Sequence, residues 1–263
     1  MNYILIQQNY ETEVLDKIIN NILNLESVNN VILVTKEKWK KRKYTTIQKS
    51  DLISNTLIEL YNPFGIPRIL ILKQIFEKFE LDHAVHFDED VLLLKRYNEI
   101  KSLFIKNKIN LTSLNYSKIS YGFSFFDNTE LLEDINKKFV NNLLIYYKKQ
   151  DLDKKKVTED KILKDIYFSN KHLFNLLPVI PLDHNVVFDP ISYGRYLSGS
   201  SSIKKKIMPG NYRYLDEEVG IDIAAKRLNI DIKNNDLKLK WNNKSFELAS
   251  LKTFGNKKLM NIL

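Results

Sequence analysis

No cysteine occurs among the 263 residues. That excludes disulfide frameworks, thiolate metal centres and cysteine nucleophiles together, and it fits a reducing compartment. Histidine is nearly as scarce. The four that occur are His83, His86, His172 and His184, and none belongs to an H-x-x-x-H pair, so a zinc centre on paired imidazoles is not expected. His86 and His184 read as structural residues rather than ligands. No apolar run approaches the roughly 18 residues of a membrane span. The opening MNYILIQQNY lacks the basic leader and longer apolar stretch of a signal peptide. The expectation is a soluble, cytoplasmic protein. With 7 Gly and 6 Pro the chain has no flexible linker, and it shows no repeat.

Basic residues outnumber acidic ones, 41 to 32, for a formal net charge of +9. One reading is compositional: the chain is rich in Lys, Asn and Ile, as expected of an AT-rich coding sequence of bacterial or viral origin. The other reading is an anionic partner, nucleic acid or nucleotide. It rests on two local clusters, Lys36–Lys43 (KEKWKKRK) and Lys204–Lys206. Trp39 among those cations could stack on a base, so a non-catalytic nucleic-acid-binding protein stays open.

Hydrophobic residues make up 44% of the chain, enough for a real core. Their spacing alternates between strand and helix. NYILIQQ (Asn2–Gln8) reads as a strand, and Glu11–Leu25 carries apolar residues at helical spacing. VILVT (Val31–Thr35) reads as a strand buried on both faces, which completes a βαβ unit. A further strand–turn stretch is expected around Thr56–Tyr61. Pro67–Phe79 reads as a helix opened by proline, and Asp82–Phe87 as a strand. Later come a strand over Ser120–Phe126 and a helix over Asn128–Tyr147. Asp151–Lys156 reads as a charged loop, and Thr158–Phe168 as a helix with Thr158 as its cap. Asp236–Trp241 belongs to a small β extension. The expected fold class is α/β: a central, mostly parallel, Rossmann-like sheet flanked by helices, with a small C-terminal β extension. Residues 1–200 form the main domain and 201–263 an extension packed on it.

Residues 86–94 read HFDEDVLLL. Three adjacent carboxylates between apolar runs repel one another, and removing them from water is costly unless something compensates. Either they face solvent at a turn or a cation sits on them. They fall at the carboxyl end of a strand, where open α/β sheets bind ligands. Strand alternation puts Asp88 and Asp90 on one side and Glu89 on the other, so the outer pair can share one cation. An all-oxygen pair suits Mn²⁺ or Mg²⁺ bridging to phosphates.

The order of motifs resembles that of nucleotide-sugar-dependent glycosyltransferases of the A-type fold, most of all bacterial and viral polysaccharide-type transferases. The resembling segment runs from Pro67-Arg68-Ile69 to HFDEDVLLL, with the D-x-D motif of that group at Asp88 and Asp90; the Tyr that follows it there is missing. Gly122 in YGFSFF resembles a glycine-containing strand on the acceptor side. Thr158-Glu159-Asp160 resembles an x-E-D motif. Phe188-Asp189-Pro190 through Gly194-Arg195-Tyr196-Leu197-Ser198-Gly199 resembles a further segment, with Arg195 and Ser198 as departures. Many members close with a His-containing segment supplying a further metal ligand; the final ten residues here, Phe254–Leu263, contain none.

The resemblance implies a hexosyltransferase-like enzyme that moves a sugar, with UDP as the nucleotide and Mn²⁺ or Mg²⁺ as metal, to a hydroxyl acceptor. A glycan is the default acceptor, and DNA carrying hydroxymethylated bases is the alternative. Asp88 and Asp90 would hold the metal and diphosphate. Arg68 would pair with phosphates or with those carboxylates. Gln7, at the end of the first strand, would face the nucleotide base. Asp160 would be the general base, with Glu159 orienting it; the bland alternative is that both acids merely serve a helix N-terminus. Asp189 would hydrogen-bond sugar hydroxyls or simply form a turn. Tyr193 and Tyr196 would stack on a sugar or belong to the core.

Overall fold

The computed structural model describes residues 1–7, 12–26, 30–35, 44–52, 68–115, 118–148, 158–189, 193, 228–233, 236–253 and 259–261. Lys36–Lys43, Thr56–Tyr61, Pro67, Asp151–Lys156, Gly194–Gly199 and Lys204–Lys206 lie outside these residues.

The chain opens with the expected unit: β1 (Tyr3–Ile6), α1 (Thr12–Leu25) and β2 (Val31–Thr35). β1 is buried along its whole length. Tyr3 and Leu5 pack with Leu15, Ile18, Ile19 and Ile22 of α1. Ile4 and Ile6 face the other way, into a cluster with Ile69, Leu72 and Ile75 of α2 (Arg68–Lys78). A strand apolar on both sides needs cover on both faces, and these two clusters supply it.

β3 (Thr45–Gln48), β4 (Ala84–Asp88), β6 (Ile109–Asn115), β7 (Lys118–Phe126) and β8 (Phe174–Leu177) complete a seven-stranded sheet ordered β3-β2-β1-β4-β7-β6-β8. β3, β2, β1 and β4 are parallel neighbours, and β6 and β8 are parallel to each other. β7 is antiparallel to both β4 and β6, so it alone runs against the rest. The fold is thus mixed α/β with a mostly parallel central sheet. The short α3 spans Tyr97–Ile100; α4 (Thr129–Lys148) packs on α2, and α5 (Glu159–Ser169) packs on α4 and β7. Both long helices begin where the sequence signals them: Asn128 Oδ1 accepts from Leu131 N at 2.9 Å, and Thr158 Oγ1 from Lys161 N at 3.3 Å.

The second sheet contains β5 (Val91–Leu93), β9 (Val186–Phe188), β10 (Leu228–Lys233), β11 (Asp236–Trp241) and β12 (Lys244–Lys252). Its path is β10-β11-β12-β5, with β9 also paired to β12. β5 and β9 come from the expected main domain and β12 from the expected extension, so strand pairing crosses residue 200. Among the described residues no helix is long and apolar enough to cross a membrane.

Candidate active site

Asp88 is the last residue of β4 and pairs with Ile6 of β1. Gln7 follows Ile6, which places it at the same end of the sheet. Glu89 and Asp90 form a turn, and Val91 opens β5. The three carboxylates therefore carry the chain from the large sheet to the small one. They do not form a solvated turn: Glu89 is 3% exposed and Asp90 2%.

The two outer carboxylates share one cation across the turn, and that cation is a side chain. Lys252 Nζ lies 2.5 Å from Asp88 Oδ2 and 3.2 Å from Asp90 Oδ1. Lys252 ends β12, whose antiparallel register on β5 sets it opposite Val91. Thr253 then fastens the turn, donating through N and Oγ1 to Asp90 O at 2.7 and 2.8 Å.

Asp189 holds the same strand end. Its Oδ2 accepts from Lys252 N at 3.0 Å, and its Oδ1 accepts from Tyr193 N at 3.1 Å. The preceding Phe188 is fully buried, with its ring 4.7 Å from that of Phe123 on β7. These backbone contacts favour the turn-forming reading of Asp189 over a sugar-binding one. Tyr193 is buried and donates through its hydroxyl to Val179 O at 2.7 Å, which makes it a core residue; Tyr196 lies outside the described residues.

Arg68, the first residue of α2, reaches the carboxylates from the other side. It donates through Nη1 to Asp88 Oδ1. Its Nε donates to Glu159 Oε2 at 2.6 Å and its backbone N to Glu159 Oε1 at 2.8 Å. Glu159 therefore also caps the positive end of α2, a favourable place for a carboxylate. Arg68 Nη2 lies 3.8 Å from Asp160 Oδ1. Asp160, with a side chain 26% exposed, is more open than Glu159. The guanidinium also lies 5.9 Å from the ring centre of buried Tyr121. Glu159 thus orients Arg68, whereas the sequence suggested that it orients Asp160.

Burial alone would raise the Asp88 carboxyl, but the Lys252 ammonium and Arg68 guanidinium hold it well below the usual carboxylate range. Burial pulls Lys252 down, and Asp88 and Asp90 more than reverse that, so it stays charged. Glu159 is pushed up to about 7 by burial and by Asp160, with Arg68 pulling against both. Four carboxylates (Asp88, Asp90, Glu159 and Asp160) thus converge on two cations, Arg68 and Lys252.

The donor set does not fit the expected Mn²⁺ or Mg²⁺. Cations already engage both oxygens of Asp88, and the ammonium lies between the pair where a shared ion would sit. Among the described residues no group of three or more His, Asp or Glu is arranged to hold a metal. In this structure Asp88 and Asp90, expected as metal ligands, are bridged by Lys252.

The structure gathers Arg68, Asp88, Asp90, Glu159, Asp160 and Asp189 into one polar cluster, with Gln7 at the same sheet end. Sequence reasoning missed Lys252. One lysine in a β-prone segment carries no local mark.

No protein-family model matches the chain, and no curated protein matches it in sequence. The chain is similar to solved glycosyltransferase structures. One is GlyE of Streptococcus pneumoniae, 11% identical over 81% of this chain, with a TM-score of 0.47; the chain spans only 52% of GlyE. Another is the galactosyltransferase LgtC in complex with donor and acceptor sugar analogues, 10% identical over 81% of this chain and 82% of that one, TM-score 0.47. A third is mouse xyloside xylosyltransferase 1, 12% identical over 67% of this chain and 84% of that one, TM-score 0.43. Likeness at this level carries nothing about chemistry, which the side chains must supply.

Proposed function

We propose that the protein is a glycosyltransferase that moves a sugar from a nucleotide donor, UDP-linked, to the hydroxyl of an acceptor, a glycan by default. The observation that carries this reading is the buried Asp88–Asp90 turn at the carboxyl end of β4, with Lys252 and Arg68 on it and Gln7 just past the end of the neighbouring strand.

In this reading the nucleotide lies over the ends of β1 and β4, with its base toward Gln7. The acceptor oxygen attacks the anomeric carbon while the bond from that carbon to the diphosphate oxygen breaks. UDP leaves with the bonding electron pair, and Asp160 takes the acceptor's proton. Lys252 and Arg68 are fixed in advance near the place where charge develops on the leaving diphosphate, so they stabilise it without reorganising. Asp88, Asp90 and Glu159 hold those two cations in place.

The nucleic-acid readings are a modified-DNA acceptor and a non-catalytic binding protein. They rest on Lys36–Lys43 and Lys204–Lys206, outside the described residues, and the polar cluster gives them no support.

Isothermal titration of UDP into the wild type and into Asp90→Ala tests the proposal. Binding to the wild type that the variant loses, followed by loss of transfer and of UDP-sugar hydrolysis, is the expected result. No UDP binding by the wild type, or no transfer from a UDP-sugar, overturns it; equal activity in both proteins removes Asp90 from the site.

A further inference from the structure

We infer that Lys252 is the resident cation of the Asp88–Asp90 pair, so that the site takes its nucleoside diphosphate without a divalent metal ion. The diphosphate half of this statement rests on the proposed donor; the cation half does not.

The first observation is position. Nζ lies within 3.2 Å of one oxygen from each aspartate, so a single positive charge bridges the pair. The second is how that position is enforced. Lys252 is the last residue of a strand in register with β5. Its backbone N is held by Asp189 Oδ2, and the next residue is tied twice to Asp90 O. The lysine side chain is only 16% exposed. An ammonium placed by strand register and three hydrogen bonds from side chain to backbone or backbone to backbone is part of the framework.

The third observation is charge. Asp88 already meets Arg68 through its other oxygen. An ion bound by both aspartates would need oxygens at about 2.0–2.2 Å, and the ammonium stands between them. Mn²⁺ would have to displace Lys252 from between the aspartates, because each oxygen of Asp88 already meets a cation. A divalent ion would offset both aspartate charges. Here Lys252 and Arg68 divide that task, and both are covalently part of the chain.

The test uses the full chain and two probes. In the first, Mn²⁺ alone is titrated and the free ion is followed by electron paramagnetic resonance. The wild type leaves Mn²⁺ free, and Lys252→Ala binds it about 100-fold or more tightly than the wild type, because two buried carboxylates have lost their cation. In the second, UDP is titrated in EDTA and in Mn²⁺. Wild-type affinity agrees within about twofold between the two; Lys252→Ala weakens about tenfold or more in EDTA and recovers in Mn²⁺.

Tight Mn²⁺ binding by the wild type that Asp90→Ala abolishes overturns the inference, and so does wild-type UDP binding that EDTA removes. The wild-type arms decide the matter even where Lys252→Ala fails to fold, and Lys252→Met keeps the aliphatic stem as a second variant. Absence of UDP binding under every condition overturns the proposed donor, while the Mn²⁺ arm still decides whether Lys252 holds the pair.

Discussion

Arg68 and Glu159 meet through two parallel contacts, Nε to Oε2 at 2.6 Å and backbone N to Oε1 at 2.8 Å, although 91 residues separate them. The pair joins the N-termini of α2 and α5 beneath Asp88. Breaking a buried ion pair by removing one partner costs about 3–5 kcal/mol. Arg68→Met therefore lowers unfolding stability by about that amount, and adding Glu159→Gln costs less than the sum of the two single changes. Urea midpoints of the two single variants and the double variant measure this.

Asp160 is the more open acid of the cluster and the proposed base. Asp160→Asn keeps the shape and the helix start while removing a proton acceptor. Turnover is expected to fall by about 10²–10⁴-fold, with UDP affinity changed by no more than about twofold. Transfer kinetics set beside UDP titration separate the two. Weakened UDP binding with unchanged turnover would remove Asp160 from the chemistry.

His86 is fully buried on β4, with Nδ1 3.0 Å from Ile4 O. Burial, reinforced by Arg68, holds its imidazole down to about 4 against partial opposition from Asp88. Between its unfolded value near 6.5 and about 4, the unfolded chain binds a proton that the folded chain refuses. Stability supplied by this residue is present above about pH 6.5 and is lost as pH falls through that window, by on the order of 3 kcal/mol. Glu159, raised to about 7, has the opposite sign: its contribution is lost as pH rises through its window. The difference between wild type and His86→Gln across pH 4–7 isolates the histidine, and a flat difference would refute this account.

Asp189 acts through Lys252, so its effects should appear in two readouts. Asp189→Asn is expected to lower stability by about 1–3 kcal/mol, because it leaves one buried backbone N–H poorly paired. It is also expected to weaken UDP binding, and in a Lys252→Ala background to weaken it no further. A stability loss with unchanged UDP affinity would make Asp189 a fold residue alone.

Elements that depend on neighbouring residues are legible in the chain's local pattern. The apolar period of residues 11–25 and the run VILVT set the opening βαβ unit. Asn128 and Thr158 mark two helix starts through hydrogen bonds spanning three residues. Three adjacent acids between apolar runs call for a cation, although the outer two meet across a turn and not along a strand. Which cation answers is not a local property. Lys252 stands 164 residues from Asp88 and reaches it through the register of β12 on β5, a strand pair that no short-range pattern encodes. The same holds for Arg68, whose three acidic partners lie on β4 and at the start of α5. Short-range sterics and hydrogen bonding fix what a segment is. Burial then demands that every charge brought inside find its counter-charge, and only the packed sheets decide which residue supplies it.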